Sequence, residues 1–360
     1  MNKRSVLTIA IIFGLALLST GCPQPKTTDK VEKKDKDAKA ADRPKVAFVS
    51  NNAYQFWTFA QKGAEKAAGE FDVELEFKKP QDGSVEVQQE IINTLINRGF
   101  KGIAVSPNEP KNTLSYYKTK VHSQVALVMT DNDLPDASAR RCYIGTHNYR
   151  AGRGAGELVK KAYPKGGKIA IFVGLIDSTN AVERRQGVLD VLSGKDLKDM
   201  DKITATDAAN FDLGNGYTLL ATKVDGSDVK NCQAQAEDLL VKHPDVDCMI
   251  GLWEYNPPAM LRAVKGSANK SKPLIVAFDE NPDTLKGIRN GEVVGTIVQD
   301  PYQFGYQSIK VLSSLARGKD DVLKTWPGIT SNGSIFVEHQ TITKDNIDAF
   351  EKKVKEILGN

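Results

Sequence analysis

Residues 274–309 read LIVAFDENPDTLKGIRNGEVVGTIVQDPYQFGYQSI, and this stretch decides the fold. The apolar run LIVAF stops at Asp279-Glu280-Asn281, a helix begins at Pro282-Asp283, and a second apolar run over 293–298 stops at Gln299-Asp300. Short apolar runs closed by turn residues are strands buried on both faces, and a helix between two of them makes a parallel crossover.

The same alternation runs upstream. Strands are predicted at 45–50, 72–77, 102–106, 125–130 and 142–145, with helices at 56–70, 85–97 and 113–123 between them. A second series follows, with helices at 151–162, 181–192, 228–242 and 258–264 and strands at 168–173, 246–252, 274–278, 293–298 and 334–337. The fold class is α/β: two doubly wound parallel-sheet domains. The stretch from Asn210 to Asp225 reads as an insertion ahead of the helix that starts near Asp228.

The chain has 360 residues, 40% hydrophobic and 26% charged, which fits two soluble domains and excludes disordered, collagenous and multi-spanning classes. Its formal charge of +4 is too diffuse for nucleic acid to be the partner. Residues 1–21 have the parts of an export signal: Lys3 and Arg4, an apolar run over 6–18, and Ser19-Thr20-Gly21 ahead of Cys22. Residues 22–43, rich in Lys and Asp, form a solvated tether, because Val31 is the only large apolar side chain there to offset ordering entropy.

Polar residues gather where the strands end, the place where open α/β sheets bind ligands. They are Ser50-Asn51-Asn52, Asp131-Asn132-Asp133, Trp253-Glu254-Tyr255-Asn256, Asp279-Glu280-Asn281 and Gln299-Asp300. Carboxylates and amides exchange hydrogen bonds with hydroxyls while aromatic faces cover C–H surface, so this inventory suits a hydroxyl-rich ligand. Metal and cofactor chemistry find no support: His122, His147, His243 and His339 never pair at ligand spacing. Gly152-Arg153-Gly154-Ala155-Gly156 lacks dinucleotide spacing and reads as small residues on a helix packing on a sheet. Cys248 reads as an inert core thiol; Cys142 and Cys232 either join in a disulfide or stay free.

The segments KVAFVSNNAYQFW, AVERRQGVLDVL, HPDVDCMIGLWEYNPPAMLRAV and the opening stretch, with the turn at Asp131, occur in an order that resembles the periplasmic sugar-binding proteins of the ribose and galactose type, which share a core with the lactose repressor family. The start of the chain is similar to a bacterial lipoprotein, with Thr20-Gly21-Cys22 as the lipobox. The resemblance implies a clamp of two lobes, residues 44–146 with 300–333 and 147–299 with 334–360, joined by crossings near Thr146, Gln299 and Ser334. It implies a sugar held by Ser50, by the aromatic pair Phe56 and Trp57, by Asp131, Arg184, Asp279 and Gln299. Tyr54, Asn132 and Trp253 stand where that family usually has Asn, Arg and Asn, which removes a guanidinium and adds two aromatics.

Each assignment has a structural counterpart. Phe56 and Trp57 also suit a helix core, although neighbours on a helix do not both face one core. Asp131 and Asp279 also suit caps and turns. The expected function is a periplasmic, lipid-anchored and monomeric binding protein, without catalysis or cofactor. It delivers a monosaccharide or polyol to ABC importer permease subunits and is tied to the membrane at Cys22. The alternatives are a sensory receptor feeding a membrane kinase or chemoreceptor, and a hydrolase using Asp131 and Asp279 as paired carboxylates.

Overall fold

The five residues KVAFV at Lys45–Val49 form β1, whose last four residues are fully buried, as expected for a strand covered by helices on both faces. The computed structural model describes residues 43–81, 83–196, 211–269 and 272–359. The signal, the tether up to Asp42 and Cys22 lie outside the described residues.

After β1 come α1 (Phe56–Glu70), β2 (Glu74–Lys78), α2 (Val85–Asn97), β3 (Gly102–Val105), α3 (Pro110–Tyr116), β4 (Ala126–Thr130) and β5 (Cys142–Thr146). The second series is α4 (Asn148–Ala162), β6 (Gly167–Val173), α5 (Thr179–Leu192), β7 (Phe211–Gly214), β8 (Tyr217–Val224), α6 (Val229–Lys242), β9 (Cys248–Gly251) and α7 (Asn256–Gly266). It continues through β10 (Leu274–Phe278), α8 (Pro282–Asn290), β11 (Val293–Val298), α9 (Pro301–Leu315), β12 (Ser334–Val337), β13 (Gln340–Ile342) and α10 (Ile347–Leu358).

Two sheets result. The first has the order β12-β5-β4-β3-β1-β2 and is parallel throughout. The second has the order β13-β11-β10-β9-β6-β8-β7, with antiparallel pairing only at its two edges. Each sheet reverses direction once, between β1 and β3 and between β6 and β9, so the expected pair of doubly wound sheets is present.

Two readings need correction, and one left open is decided. Residues 334–337 were assigned to the second lobe, but β12 pairs with β5 in the first sheet, Ser334 opposite Tyr143 and Val337 opposite Thr146. The crossing therefore falls at Glu338-His339, and β13 returns the chain to the second sheet beside β11. The supposed insertion is a hairpin: β8 lies parallel to β6 as a regular member of the sheet, and only β7 is added at its edge. The turn is Asn215-Gly216, both at positive φ (52° and 80°), the dipeptide that fits the right-handed twist of a hairpin. Cys142, Cys232 and Cys248 are all free, buried thiols, and burial pushes Cys142 and Cys232 up to about 12.

Helix pairing fixes the ground under the site. A Cβ on Gly152 of α4 would lie 2.1 Å from the Arg184 carbonyl oxygen, and one on Gly187 of α5 would lie 2.3 Å from the Tyr149 carbonyl oxygen. These glycines let two backbones touch, so the packing partner of Gly152 is a helix rather than the sheet expected of it.

Candidate functional site

Strand β4 ends at Thr130, and the next residue, Asp131, turns into the left-handed region at φ 62°. Its backbone NH donates to the Ile144 carbonyl (3.1 Å), its carbonyl accepts from the Tyr143 hydroxyl (2.8 Å), and its Oδ2 accepts from Ser106 Oγ (3.1 Å). Burial pushes the carboxyl up to about 6, against the pull of the Arg184 guanidinium and the Ser106 hydroxyl. Asn132 donates to Ser106 Oγ at 3.5 Å. Asp133 turns away into a double hydrogen bond with the buried Arg140 (2.6 and 2.7 Å).

In the second sheet Asp279 follows β10 at φ 64° and is 6% exposed. Its backbone NH donates to the Ile297 carbonyl (2.9 Å), its carbonyl accepts from Thr296 Oγ1 (2.7 Å), and its Oδ1 accepts from Gln299 Nε2 (3.0 Å). Helix capping belongs to Asn281 instead, whose Oδ1 accepts from the Asp283 NH. Burial raises the Asp279 carboxyl while Arg184 and Gln299 lower it.

The Arg184 guanidinium favours the charged form of both acids. Its Nε donates to Asn148 Oδ1 (2.9 Å), its Nη1 donates to the Leu252 carbonyl (2.8 Å), and its guanidinium lies 4.6 Å from the centre of the Phe278 ring. A planar cation held on two edges and one face is pre-organised. It acts on Asp131 from one sheet and Asp279 from the other, which places it at the junction of the lobes. At the rim, Lys111 Nζ of α3 donates to the Asp177 carbonyl beyond β6 (3.1 Å) and sits 3.8 Å from its carboxylate.

The aromatic positions divide. Trp57 is 2% exposed, packs on Phe48 in the core between sheet and helices, and donates its indole NH to Asn51 Oδ1 (2.9 Å). Trp57 thus packs in the first-lobe core, and its helical neighbour Phe56 points to a different side. Phe56 is partly buried and meets the edge of Trp57 at 5.0 Å, whereas Tyr54 is 73% exposed. Trp253 packs over Gly174 and meets Tyr255 edge-on at 6.3 Å, and its buried indole NH has no hydrogen-bond partner.

Ser50 closes a turn. It is fully buried, and its hydroxyl donates to the Asn52 carbonyl at 2.5 Å, closing the turn after β1. Behind it lies a residue the sequence reading passed over. Gln88 of α2 donates to the Ser50 and Ser106 carbonyls (2.9 and 2.8 Å) and accepts from the Asn108 NH and the Tyr117 hydroxyl (both 2.9 Å). It bridges the ends of β1 and β3 where the first sheet reverses. A lone polar residue in the apolar face of α2, EVQQEII, was the available signal.

Two further acids are shifted, Glu183 and the strand-end Glu280. Burial pushes Glu183 up to about 7, with Arg184 pulling it down. It pushes Glu280 up to about 8, helped by Asp279, and Glu280 Oε2 is sealed from solvent without a partner. Among the described residues no group of three or more His, Cys, Asp or Glu side chains is placed to hold a metal ion.

The periplasmic binding protein domain model matches residues 46–320. The ribose import binding protein RbsB of Salmonella typhimurium is 22% identical over 264 residues, covering 73% of this chain and 81% of that protein. The D-allose-binding periplasmic protein of Escherichia coli is 22% identical over 265 residues, covering 71% and 79%. A solved ABC transporter solute-binding protein from Burkholderia graminis, in complex with D-arabinose, superposes with a TM-score of 0.68 at 28% identity, covering 84% of this chain and 96% of that one. With two doubly wound sheets, an acid from each facing one arginine, and a family match across most of its length, the chain belongs to the periplasmic binding proteins.

Proposed function

We propose that this protein is an extracytoplasmic solute-binding lipoprotein that captures a monosaccharide or related polyol by hinge closure and hands it to the permease subunits of an ABC importer. The observation that carries the reading is Arg184 acting on Asp131 and Asp279, one carboxyl from each sheet. A ring whose hydroxyls meet all three joins the lobes, and only the closed form makes those contacts together, so the ligand favours closure by their free energy. The relatives named for ribose and D-allose support a sugar as the ligand class.

The contact set in this reading is Asp131, Asn132, Arg184, Asp279, Gln299, Phe56 and Trp253, with Tyr54 at the rim. The lobes are residues 44–146 with 300–337 and 147–299 with the remainder, linked at three crossings. Binding leaves the ligand unchanged: an affinity near micromolar needs about −8 kcal/mol, within the range of a few hydrogen bonds to charged groups and one or two aromatic faces. Lipid at Cys22 and the charged stretch after it hold a monomer near its permease.

Isothermal titration with pentoses, hexoses and polyols tests the reading, with small-angle scattering to follow closure. The expected result is one tight ligand that shrinks the particle. Absence of binding across the panel overturns it. Mass spectrometry of the processed N-terminus tests the anchor, and an unacylated Cys22 overturns that part.

A further inference from the structure

Asp225 follows β8 and is 1% exposed, and its carboxylate reaches across the end of β6 to the loop after β9, since β6 lies between those two strands in the sheet. Its Oδ1 accepts from the Tyr255 hydroxyl (2.5 Å) and the Ser227 NH (3.0 Å), and its Oδ2 accepts from Asn256 Nδ2 (2.9 Å). Burial raises this carboxyl above its ordinary value, and the donors on Tyr255, Cys232, Ser227 and Asn256 pull it back. The end of β6 leaves the reach open. A Cβ on Gly174 would lie 2.1 Å from Trp253 Cζ3 and 2.8 Å from the Tyr255 hydroxyl oxygen, so ring and hydroxyl lie where a side chain would otherwise stand.

Fully buried Asn256 connects the acid to Trp253. Its NH donates to the Trp253 carbonyl (3.1 Å), and its Oδ1 accepts from the Trp253 NH (2.9 Å). An amide has one donor end and one acceptor end, whereas a carboxylate only accepts. Asp225 therefore takes the donor end of Asn256, and the acceptor end is left for the Trp253 backbone. Tyr255, also held by Asp225, meets the Trp253 ring edge-on at 6.3 Å. The indole NH of that ring is sealed from solvent and has no partner.

We propose that Asp225 is a positioning residue for ligand binding: through Asn256 and Tyr255 it sets the Trp253 ring, whose indole NH donates to an oxygen of the ligand. The inference rests on the sugar-clamp reading above, in which Trp253 is a contact. An indole NH donates and never accepts, so a ligand hydroxyl satisfies it through the oxygen. A ring ordered before the ligand arrives does not have to be ordered on binding, which leaves more of the contact free energy as affinity. Asp225→Asn keeps the size and changes the pattern. The new amide retains its contacts to Tyr255 and Ser227 by turning its NH2 toward Asn256. Asn256 then turns over and sets its own NH2 against the Trp253 NH, a buried donor facing a donor.

The test is titration calorimetry with D-ribose, D-allose, D-arabinose and myo-inositol on the parent, Asp225→Asn, Trp253→Ala and the double variant, with the indole N–H signals followed by 1H–15N NMR. The expected result is that Asp225→Asn weakens binding at least fivefold in the parent and less than twofold in Trp253→Ala, where the ring it positions is gone. The chain has three tryptophans, and Asp225→Asn should shift the Trp253 indole signal while leaving those of Trp57 and Trp326 in place. A smaller loss in the parent, a loss of twofold or more in Trp253→Ala, or an unmoved Trp253 signal each overturns the inference and leaves the sugar clamp standing. Where Trp253→Ala binds too weakly to titrate, the indole signal decides. If none of the four compounds binds the parent, the clamp reading falls and this inference falls with it. Thermal melting shows whether Asp225→Asn folds; if it does not, Tyr255→Phe, which removes one donor from the carboxylate and keeps the ring, takes its place under the same criteria.

Discussion

Asp131 and Asp279 occupy the same place in the two sheets. Each follows the strand two places past the reversal point, each is left-handed (φ 62° and 64°), and each donates its NH to the strand alongside, at Ile144 and Ile297. Non-glycine residues rarely adopt this backbone, and aspartate tolerates it better than most. Both carboxyls feel the charge of one guanidinium, that of Arg184. We expect Asp131→Asn and Asp279→Asn each to weaken ligand binding by roughly ten- to a hundredfold, or about 1.5–3 kcal/mol, in titration calorimetry. The double variant should lose less than the sum, because each single loss already frees Arg184 from part of its load.

Phe56 and Trp57 should respond in opposite ways. Trp57→Ala opens the first-lobe core and strands the Asn51 amide, so chemical denaturation should show a loss of about 3–5 kcal/mol. Phe56→Ala should leave stability much closer to the parent and act mainly on affinity. Equal stability losses would remove Phe56 from the ligand contacts.

Gly152 should be as sensitive as a ligand contact although it touches none. A methyl there meets the Arg184 carbonyl at 2.1 Å, so Gly152→Ala must push α5 outward and carry the guanidinium with it. A stability loss of about 1–3 kcal/mol together with weaker binding is expected. Gly69→Ala in α1 is the control, since nothing lies within 4 Å of its added methyl, and it should be neutral or gain up to about 1 kcal/mol.

The buried acids make ligand-free stability depend on pH. Glu280 is raised from 4.5 to about 8 and Asp131 from 3.8 to about 6. A carboxyl whose folded pKa exceeds its unfolded value contributes stability in full below the unfolded value, and that contribution is lost as pH rises through the folded one. The ligand-free protein should therefore melt lower at pH 8 than at pH 6, and Glu280→Gln should flatten that slope. Scanning calorimetry across this window decides it; a steeper slope in the variant would refute the assignment.

Sequence reading located the sheets because their strands are nearly continuous apolar runs, and it singled out Asp131 and Asp279 because each ends such a run; Arg184 lies within a helix and was named only through the family resemblance. It misplaced 334–337 because a short apolar run does not say which of two similar sheets it joins; that is decided by the pairing of Ser334 with Tyr143. The hairpin at Asn215-Gly216 carried a readable turn signal, but the preceding segment offered no apolar run to pair it with. The polar atoms of Ser50 and Trp57 bond the backbone of Asn52 and the amide of Asn51, partners that sequence does not show, because a polar atom at a strand end looks the same whatever it serves. Gln88 was invisible for the converse reason, since its role lies in four partners spread from Ser50 to Tyr117.

The route of β12 into the first sheet has a consequence for biosynthesis. The first sheet lacks an edge strand until Val337 has been made, while the second lacks only the three residues of β13 once Val298 is in place. During translation the lobe begun second is therefore nearer completion than the lobe begun first, and the earlier one waits with β5 uncapped. Folding in order of synthesis is the common expectation for multidomain chains. Here the order is inverted: the sheet begun first gains its last strand after the sheet begun second has all but β13.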